Sequence, residues 1–565
     1  VTAPTILETA LDRLQNEPVN ADLPKPDSGF TVSRFILEQL AAWGVERIYG
    51  VIGDANLTFI HDIASHGKIQ YVPFLDENAA ALAAVAEAKL TGHIGVVIGT
   101  SGPGLTNMLN GLADAYADAV GVLAITGQVE AGKVGTGAKQ YIQQQLVVSP
   151  LAECTEQLAH PDALPELLQC CLVTSGVRGA VSHLSIPKDM FQEKVTGTVF
   201  PYSPHLHQPL LPPEQDLEET FRIIAEAERP VLLYGRGVAG AAKDAVAFAE
   251  ALGAAVTVTM PAKHVFPNDH ELFVGGLGLA GSEAASVLLA ESDLVVICGA
   301  TWWPEEYTPP SARVVQIDAV RENIGIGHAL VRGLAGDLRH ILPRLSRMAA
   351  AVRSDRSAWK QRIAEVRGAW MKRLEAEMAQ EGFPLAPQRV MKLLAAAVPA
   401  EAVIAVDTGD HTLWFNRCFH NRGQRVLVSG RMRTLGFALP AAIAARLAEP
   451  KRPVAAVAGD GGVVQTLLEF KTAARLGLPI VLVVINNGAY AIEKNRMELA
   501  GLDASFSVLD NPDFARIAEA CGGHGRKADT DVAFREALAA AFAERDRPTL
   551  IEVSVAPSVV PHTKM

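Results

Sequence analysis

Val454-Ala455-Ala456-Val457-Ala458-Gly459-Asp460-Gly461-Gly462 is the stretch that decides the fold. Its apolar run reads as a strand, and the Gly-Asp-Gly-Gly that closes it reads as a turn into a helix. Beyond that helix a second apolar run, residues 480–485, leads to Asn486-Asn487, so Asp460 and Asn487 stand 27 positions apart at the ends of successive strands. A carboxylate and a carboxamide brought together there suit a hard, oxygen-seeking cation such as Mg²⁺. Gly459, Gly461 and Gly462 leave backbone N–H groups free to face a diphosphate at a helix N-terminus. A glycine-rich turn of this kind is also common in any α/β protein, so the reading rests on the spacing and on motifs far upstream.

Working outward, strand-like runs alternate with helical patterns along nearly the whole chain of 565 residues, a length that calls for about three or four domains. Residues 1–30 read as a short amphipathic helix and a polar connector. Residues 31–195 form a first βα domain, with strands near 47–51, 69–74, 94–98, 122–125 and 180–184. A Pro-rich linker, 200–213, leads to a middle domain over 214–345, with strands near 231–234, 255–259, 294–298 and 314–317. A helical linker, 346–386, precedes a third domain over 387–555, with strands near 403–406, 454–458, 480–485 and 549–553, and a tail, 556–565. The βα rhythm implies three doubly wound parallel sheets, whose ligands sit at the carboxyl ends of strands.

A net charge of −12 argues against a nucleic-acid partner, which would favour a basic face. No apolar run is long enough to span a bilayer, and the N-terminus lacks a secretory pattern, so a cytoplasmic protein is expected. The six cysteines are scattered without a CxxC pair and read as buried free thiols.

The Gly-Asp-Gly-Gly and Asn-Asn pair resemble the signature of the thiamine-diphosphate (ThDP) enzymes. Further motifs fit in order: Glu77, fifteen residues before Gly92; Gly99-Thr100-Ser101-Gly102-Pro103-Gly104; Thr126-Gly127-Gln128; Asp407-Thr408-Gly409-Asp410-His411; and Arg433-Thr434-Leu435-Gly436-Phe437. The resemblance spans about residues 31–555. It implies that Glu77 bonds N1′ of the aminopyrimidine and so activates the cofactor. Gly409, Asp410, His411, Arg433 and Tyr490 would surround the cofactor with the Gly459 to Gly462 turn. Leu435 would bend it, and Asp460, Asn487 and the Ala489 carbonyl would hold Mg²⁺.

The overall wording, including Thr259-Met260-Pro261-Ala262-Lys263 and Thr301-Trp302-Trp303-Pro304, is similar to pyruvate oxidases and acetolactate synthases, and Gln140 matches their active-site glutamine. Two local motifs resemble pyruvate and indolepyruvate decarboxylases instead. In Gly53-Asp54-Ala55-Asn56-Leu57 the acid Asp54 is the catalytic match, and Glu493 is the match in the segment that follows Asn487. A protonated carboxyl at either place could quench a carbanion if desolvation raised its pKa. Asp54 as a helix N-cap and Glu493 as a solvated helix residue are the structural alternatives.

The paired histidines of those decarboxylases are absent, and Arg496 stands where pyruvate oxidases resemble one another in having Glu. These departures point to an altered or larger substrate, and the resemblance as a whole implies a ThDP- and Mg²⁺-dependent decarboxylase and carboligase acting on a small-molecule 2-oxo acid. Its enamine intermediate would be protonated to an aldehyde or trapped by an aldehyde or oxo-acid acceptor as an acyloin. The alternatives are an FAD-containing oxidase, hinted at by Gly235-Arg236-Gly237 and Gly275-Gly276-Leu277-Gly278, and an acetolactate synthase-like transferase. A homodimer or homotetramer is also implied, with Glu77 of one subunit meeting the diphosphate site of another.

Overall fold

The computed structural model describes residues 27–206, 208–301, 310–327, 329–352, 355–561 and 563. The expected N-terminal helix and the Trp302-Trp303-Pro304 motif lie outside these residues. The rest forms three six-stranded parallel sheets and one antiparallel two-stranded pair. The first sheet runs, in spatial order, Gln70–Pro73, Arg47–Gly50, Gly95–Gly99, Val122–Gln128, Val181–Pro187 and Cys154–Gln157. The third repeats that topology with Arg425–Val428, Val403–Val406, Val454–Gly459, Ile480–Asn486, Thr549–Ser554 and His524–Lys527. The middle sheet is wound differently: Phe273–Gly276, Ala255–Val258, Pro230–Tyr234, Leu294–Cys298, Arg313–Asp318 and Arg332–Ala335.

Central strands are buried throughout because helices cover both faces of such a sheet; Val122–Gln128, Val181–Pro187, Leu294–Cys298 and Val454–Gly459 are buried at every position. Five strands that the sequence pattern missed, Cys154–Gln157, Phe273–Gly276, Arg332–Ala335, Arg425–Val428 and His524–Lys527, are all edge strands. Asp27–Thr31, read as a connector, is a strand paired with Lys194–Thr196, which ties the two ends of the first domain together. Among the described residues the helical linker holds the end of the helix Leu338–Ala351 and, after it, the helix Ser357–Met378. Its Trp359, Ile363, Trp370, Leu374 and Met378 are buried in one apolar cluster with the middle sheet and one face of the third.

The first and third domains join through the Ala-rich helix Glu77–Thr91, whose residues from Ala79 to Ala86 are wholly buried in a cluster shared with the helix Ala438–Ala448. Small side chains on both let the helices approach closely. A buried ion cluster accompanies them: Lys89 Nζ lies 2.6 Å from Asp114 and 2.8 Å from Asp118 and donates to the Val428 carbonyl. Asp118 in turn accepts from the backbone N–H groups of Gly430 and Arg431.

Candidate active site

In the third sheet the chain steps from Val403–Val406 outward to Arg425–Val428, then returns to Val454–Gly459 on the other side of its first strand. The direction of winding reverses between Val403–Val406 and Val454–Gly459, and such a switch point opens a crevice at the carboxyl ends of the two strands. The residues leaving these ends are Asp407-Thr408-Gly409-Asp410 and Asp460-Gly461-Gly462.

The first turn is held by Asp407. Its buried carboxylate accepts from Thr408 N at 2.7 Å and from Gly436 N at 3.0 Å, which pins the turn carrying the half-buried Leu435 beside the crevice. Burial pushes its carboxyl up to about 6, with the backbone N–H bonds opposing. His411 is buried, and burial holds it down to about 4, so it is neutral and donates from Nε2 to the Asp407 carbonyl at 3.0 Å. The far side of its ring fills the gap between the two turns: a Cβ added at Gly459 would lie 2.8 Å from His411 Nδ1, and one at Gly409 would lie 2.8 Å from Cε1. Asp410 follows, with Oδ2 accepting from Trp414 Nε1 at 2.8 Å. Its Oδ1 is buried without a partner, and burial, aided by the nearby charge of Asp460, raises its carboxyl to about 6.

Asp460 is 3% exposed, and burial raises its carboxyl. Its Oδ2 accepts from Gly488 N and from Asn511 Nδ2, each at 2.8 Å. Asn511 Nδ2 also reaches Asn486 Oδ1 at 3.0 Å, and Asn486 Nδ2 donates to Glu552. Asn487 Oδ1 accepts from Ala489 N at 3.2 Å. The loop carrying Ala489 and Tyr490 is fixed by the segment ahead of Asn511, with Tyr490 N bonded to the Ser507 carbonyl and Leu509 N to that of Gly488. A Cβ at Gly461 would lie 2.5 Å from Tyr490 Cε1, so any side chain there would displace the Tyr490 ring. Asn511 was missed from the sequence, where only the turn-forming Asn511-Pro512 pair marks it.

These residues fit ThDP and Mg²⁺. Carboxylate, carboxamide and backbone carbonyl are hard oxygen donors of the kind Mg²⁺ takes; among the described residues no cluster of three His, Cys, Asp or Glu offers a different metal site. The orphaned Asp410 Oδ1 leaves a buried polar group at the crevice for a ligand to satisfy.

Glu77 opens its helix behind the N-cap Asp76, which accepts from Ala79 N. It is 7% exposed, and its Oε2 accepts from Asn107 Nδ2 at 3.0 Å. Next to it, Asn110 Nδ2 bonds Thr434 Oγ1 at 2.8 Å, linking this face of the first domain to the Leu435 turn. The start of the Glu77 helix is further held by Glu469 of the third domain, whose Oε1 accepts from Leu75 N and Asp76 N. Burial pushes Glu469 up to about 7. A carboxyl raised on folding binds its proton more tightly in the folded state, so the penalty of ionising it grows as pH rises from about 4.5 to 7. Glu469→Gln keeps an acceptor oxygen and removes that penalty. The variant is expected to melt higher than the wild type at pH 8 and level with it at pH 5, by calorimetry at both values.

The remaining candidates lie at the surface of the single chain. Gly53, not Asp54, occupies the N-cap position, and the Asn56 side chain accepts from Gly53 N, so the N-cap reading of Asp54 is corrected. The Asp54 side chain is 70% exposed and paired with Lys188 at 3.0 Å, in a cleft of about 610 Å³ also lined by Thr58, Glu130 and Lys133. Glu493 is 62% exposed and faces Arg496 at 3.6 Å, which matches the solvated-helix reading. Gln140 is exposed with a left-handed φ of 67°, its carbonyl against Gly102. Arg433 is likewise exposed with φ 55°. Among the described residues no hydrogen bond or ion pair joins Asp54, Gln140 or Glu493 to Glu77 or Asp460 within one chain.

Three family models match the chain: the N-terminal TPP binding domain of thiamine pyrophosphate enzymes over residues 30–149, the central domain over 217–345 and the C-terminal TPP binding domain over 407–553. The chain is 34% identical over 535 residues to YdaP of Bacillus subtilis, a protein named for thiamine pyrophosphate, covering 93% of this chain and 92% of that one. It is 30% identical to the acetolactate synthase isozyme 2 large subunit of Escherichia coli, over 93% and 95% of the two chains. It is 28% identical to a sulfoacetaldehyde acetyltransferase of Castellaniella defragrans, over 93% of each.

Proposed function

This chain belongs to the thiamine pyrophosphate enzymes, and on that premise we propose that it decarboxylates a 2-oxo acid and releases the remaining fragment as an aldehyde or passes it to a carbonyl acceptor. The observation that carries the reading is the crevice at the third sheet's switch point, where Asp460, Asp410 and the Gly459 to Gly462 turn come together. Asp460, Asn487 and the Ala489 carbonyl would hold Mg²⁺, and the glycine turn with Gly409, Asp410 and His411 would take the diphosphate. Thiamine diphosphate, when bound, supplies the carbon nucleophile and electron sink that side chains lack.

The chain's own residues do the rest. Glu77, braced by Asn107 at the start of a helix capped by Asp76, would exchange a proton with the aminopyrimidine. Leu435, on a turn anchored on Asp407, would pack against the cofactor. Gln140 would orient the substrate carbonyl, while Asp54 and Glu493 would handle protons once a partner subunit covers them. The protein would act in the cytoplasm as a homodimer or homotetramer, Glu77 of one subunit serving the crevice of another.

A second reading, an acyl or acetaldehyde transferase, is favoured by the names of the relatives. The experiment that separates them is an absorption spectrum of the purified protein followed by CO₂ release from a panel of 2-oxo acids, with and without an aldehyde or oxo-acid acceptor. Colourless protein that forms aldehyde without acceptor and acyloin with it supports the proposal, and product formed only with acceptor supports the transferase. A flavin band bleached by substrate, or no ThDP-dependent CO₂ release, overturns the proposal.

A further inference from the structure

Three of the six cysteines meet far from the crevice. Cys154 sits on the edge strand Cys154–Gln157, and Cys170 and Cys171 sit side by side on the covering helix Leu164–Gly176. The Cys154 sulfur lies 3.2 Å from that of Cys170 and 3.7 Å from that of Cys171. Neighbouring residues of a helix point about 100° apart, so two consecutive thiols reach one sulfur only when that sulfur lies between them. The sequence reading of all six as buried needs one correction: Cys170 is exposed.

We propose that Cys154 and Cys170 are a peroxide-responsive dithiol site that closes to a reversible disulfide. Geometry selects the pair. The two sulfurs are already closer than van der Waals separation, and Cys170 opens the site to solvent, whereas Cys171 is buried and its sulfur lies farther off, at 3.7 Å. The three groups divide the chemistry unequally. Cys154 is the sulfur that both others approach, and hydrogen bonds from Cys171 and Cys170 hold its thiol below the usual range against burial, while the bond to Cys154 raises Cys170. The thiolate is the nucleophile, and Cys154 is the sulfur on which it forms.

The reaction proceeds in two balanced steps. The Cys154 thiolate attacks one oxygen of hydrogen peroxide, the O–O bond breaks, and hydroxide leaves and takes a proton as water; Cys154 becomes a sulfenic acid. The Cys170 sulfur then attacks the Cys154 sulfur, the S–O bond breaks, and the hydroxyl departs with the Cys170 proton as a second water. One peroxide is reduced to two waters and two thiols become one disulfide. A thiol donor reverses it by exchange. The bond would clamp an edge strand, the kind of strand least held by its own sheet, to the helix that covers it.

The test is peroxide titration of the full-length protein, alkylation, and peptide mapping without reduction, with dimedone present in a parallel series. The wild type is expected to lose two of its six alkylatable thiols in one step, to yield a linked peptide pair containing Cys154 and Cys170, and to recover both with dithiothreitol. Cys170→Ser, a change at an exposed position, is expected to fold normally and to accumulate dimedone adduct on Cys154. Cys154→Ser is expected to leave Cys170 reduced at the same peroxide dose. Absence of the linked peptide in oxidised wild type overturns the proposal, as does Cys170 oxidising equally fast in Cys154→Ser or an absence of adduct on Cys154 in Cys170→Ser.

Discussion

Glu77→Gln is expected to bind thiamine diphosphate normally and to lose on the order of 10²–10⁴-fold in kcat, the range a positioned acid–base group contributes. Glutamine keeps an oxygen that can accept from Asn107 Nδ2, and the cap from Asp76 does not involve the Glu77 side chain, so the helix and its packing survive. What is lost is the exchangeable proton. Titration with the cofactor and steady-state CO₂ release together separate the two effects. An unchanged kcat removes Glu77 from the mechanism, and a variant that loses cofactor binding outright reassigns it to holding the ligand.

The second large effect concerns stability. Lys89→Met is expected to cost about 3–5 kcal/mol, because removing one partner of a buried ion cluster leaves uncompensated charge behind. Lys89 is 4% exposed at its side chain and lies against two carboxylates, with its ammonium 4.9 Å from the centre of the Phe437 ring. Without it, Asp114, which is wholly buried, retains the Ser429 hydroxyl as its donor. Burial opposes ionisation of Asp118, but the charge of Lys89 and its hydrogen bond outweigh burial and hold the carboxyl below its usual range. A depressed carboxyl contributes stability that is present above its unfolded pKa and is lost as pH falls through its folded one. The difference between wild type and variant should therefore be full at neutral pH and shrink in acid. Urea unfolding at pH 7 and at pH 3 checks both statements, and an equal difference at the two values contradicts the assignment to Asp118.

Legibility followed burial. Residues 403–406 and 294–298 were bounded correctly from sequence because each is an unbroken apolar run, the pattern of a strand covered on both faces. The strands that were not legible, such as Cys154–Gln157 and His524–Lys527, lie on sheet edges where one flank is open and polar residues are allowed, so periodicity carries no signal. The site divides in the same way. Asp460, Asn487 and Glu77 stand at strand ends and helix starts that the pattern locates. Asn511, Glu469 and Asn107 work through bonds between residues 30 to 394 positions apart, and nothing local announces them. Asp54 and Glu493 were legible as motifs, but the desolvation that would make them acids is not present in the single chain, where both side chains are exposed.

The measurement that bears most directly on the crevice is the affinity for thiamine diphosphate, by calorimetric titration with Mg²⁺ and again with EDTA, for the wild type and Asp460→Ala. Loss of partners one step removed from a metal costs 10–100-fold, so loss of a direct ligand is expected to weaken binding by more than about 100-fold. EDTA should weaken the wild type to a similar extent and add little to the variant. Asp460→Ala binding the cofactor as tightly as the wild type in Mg²⁺ would contradict the placement of the diphosphate and its cation at this switch point.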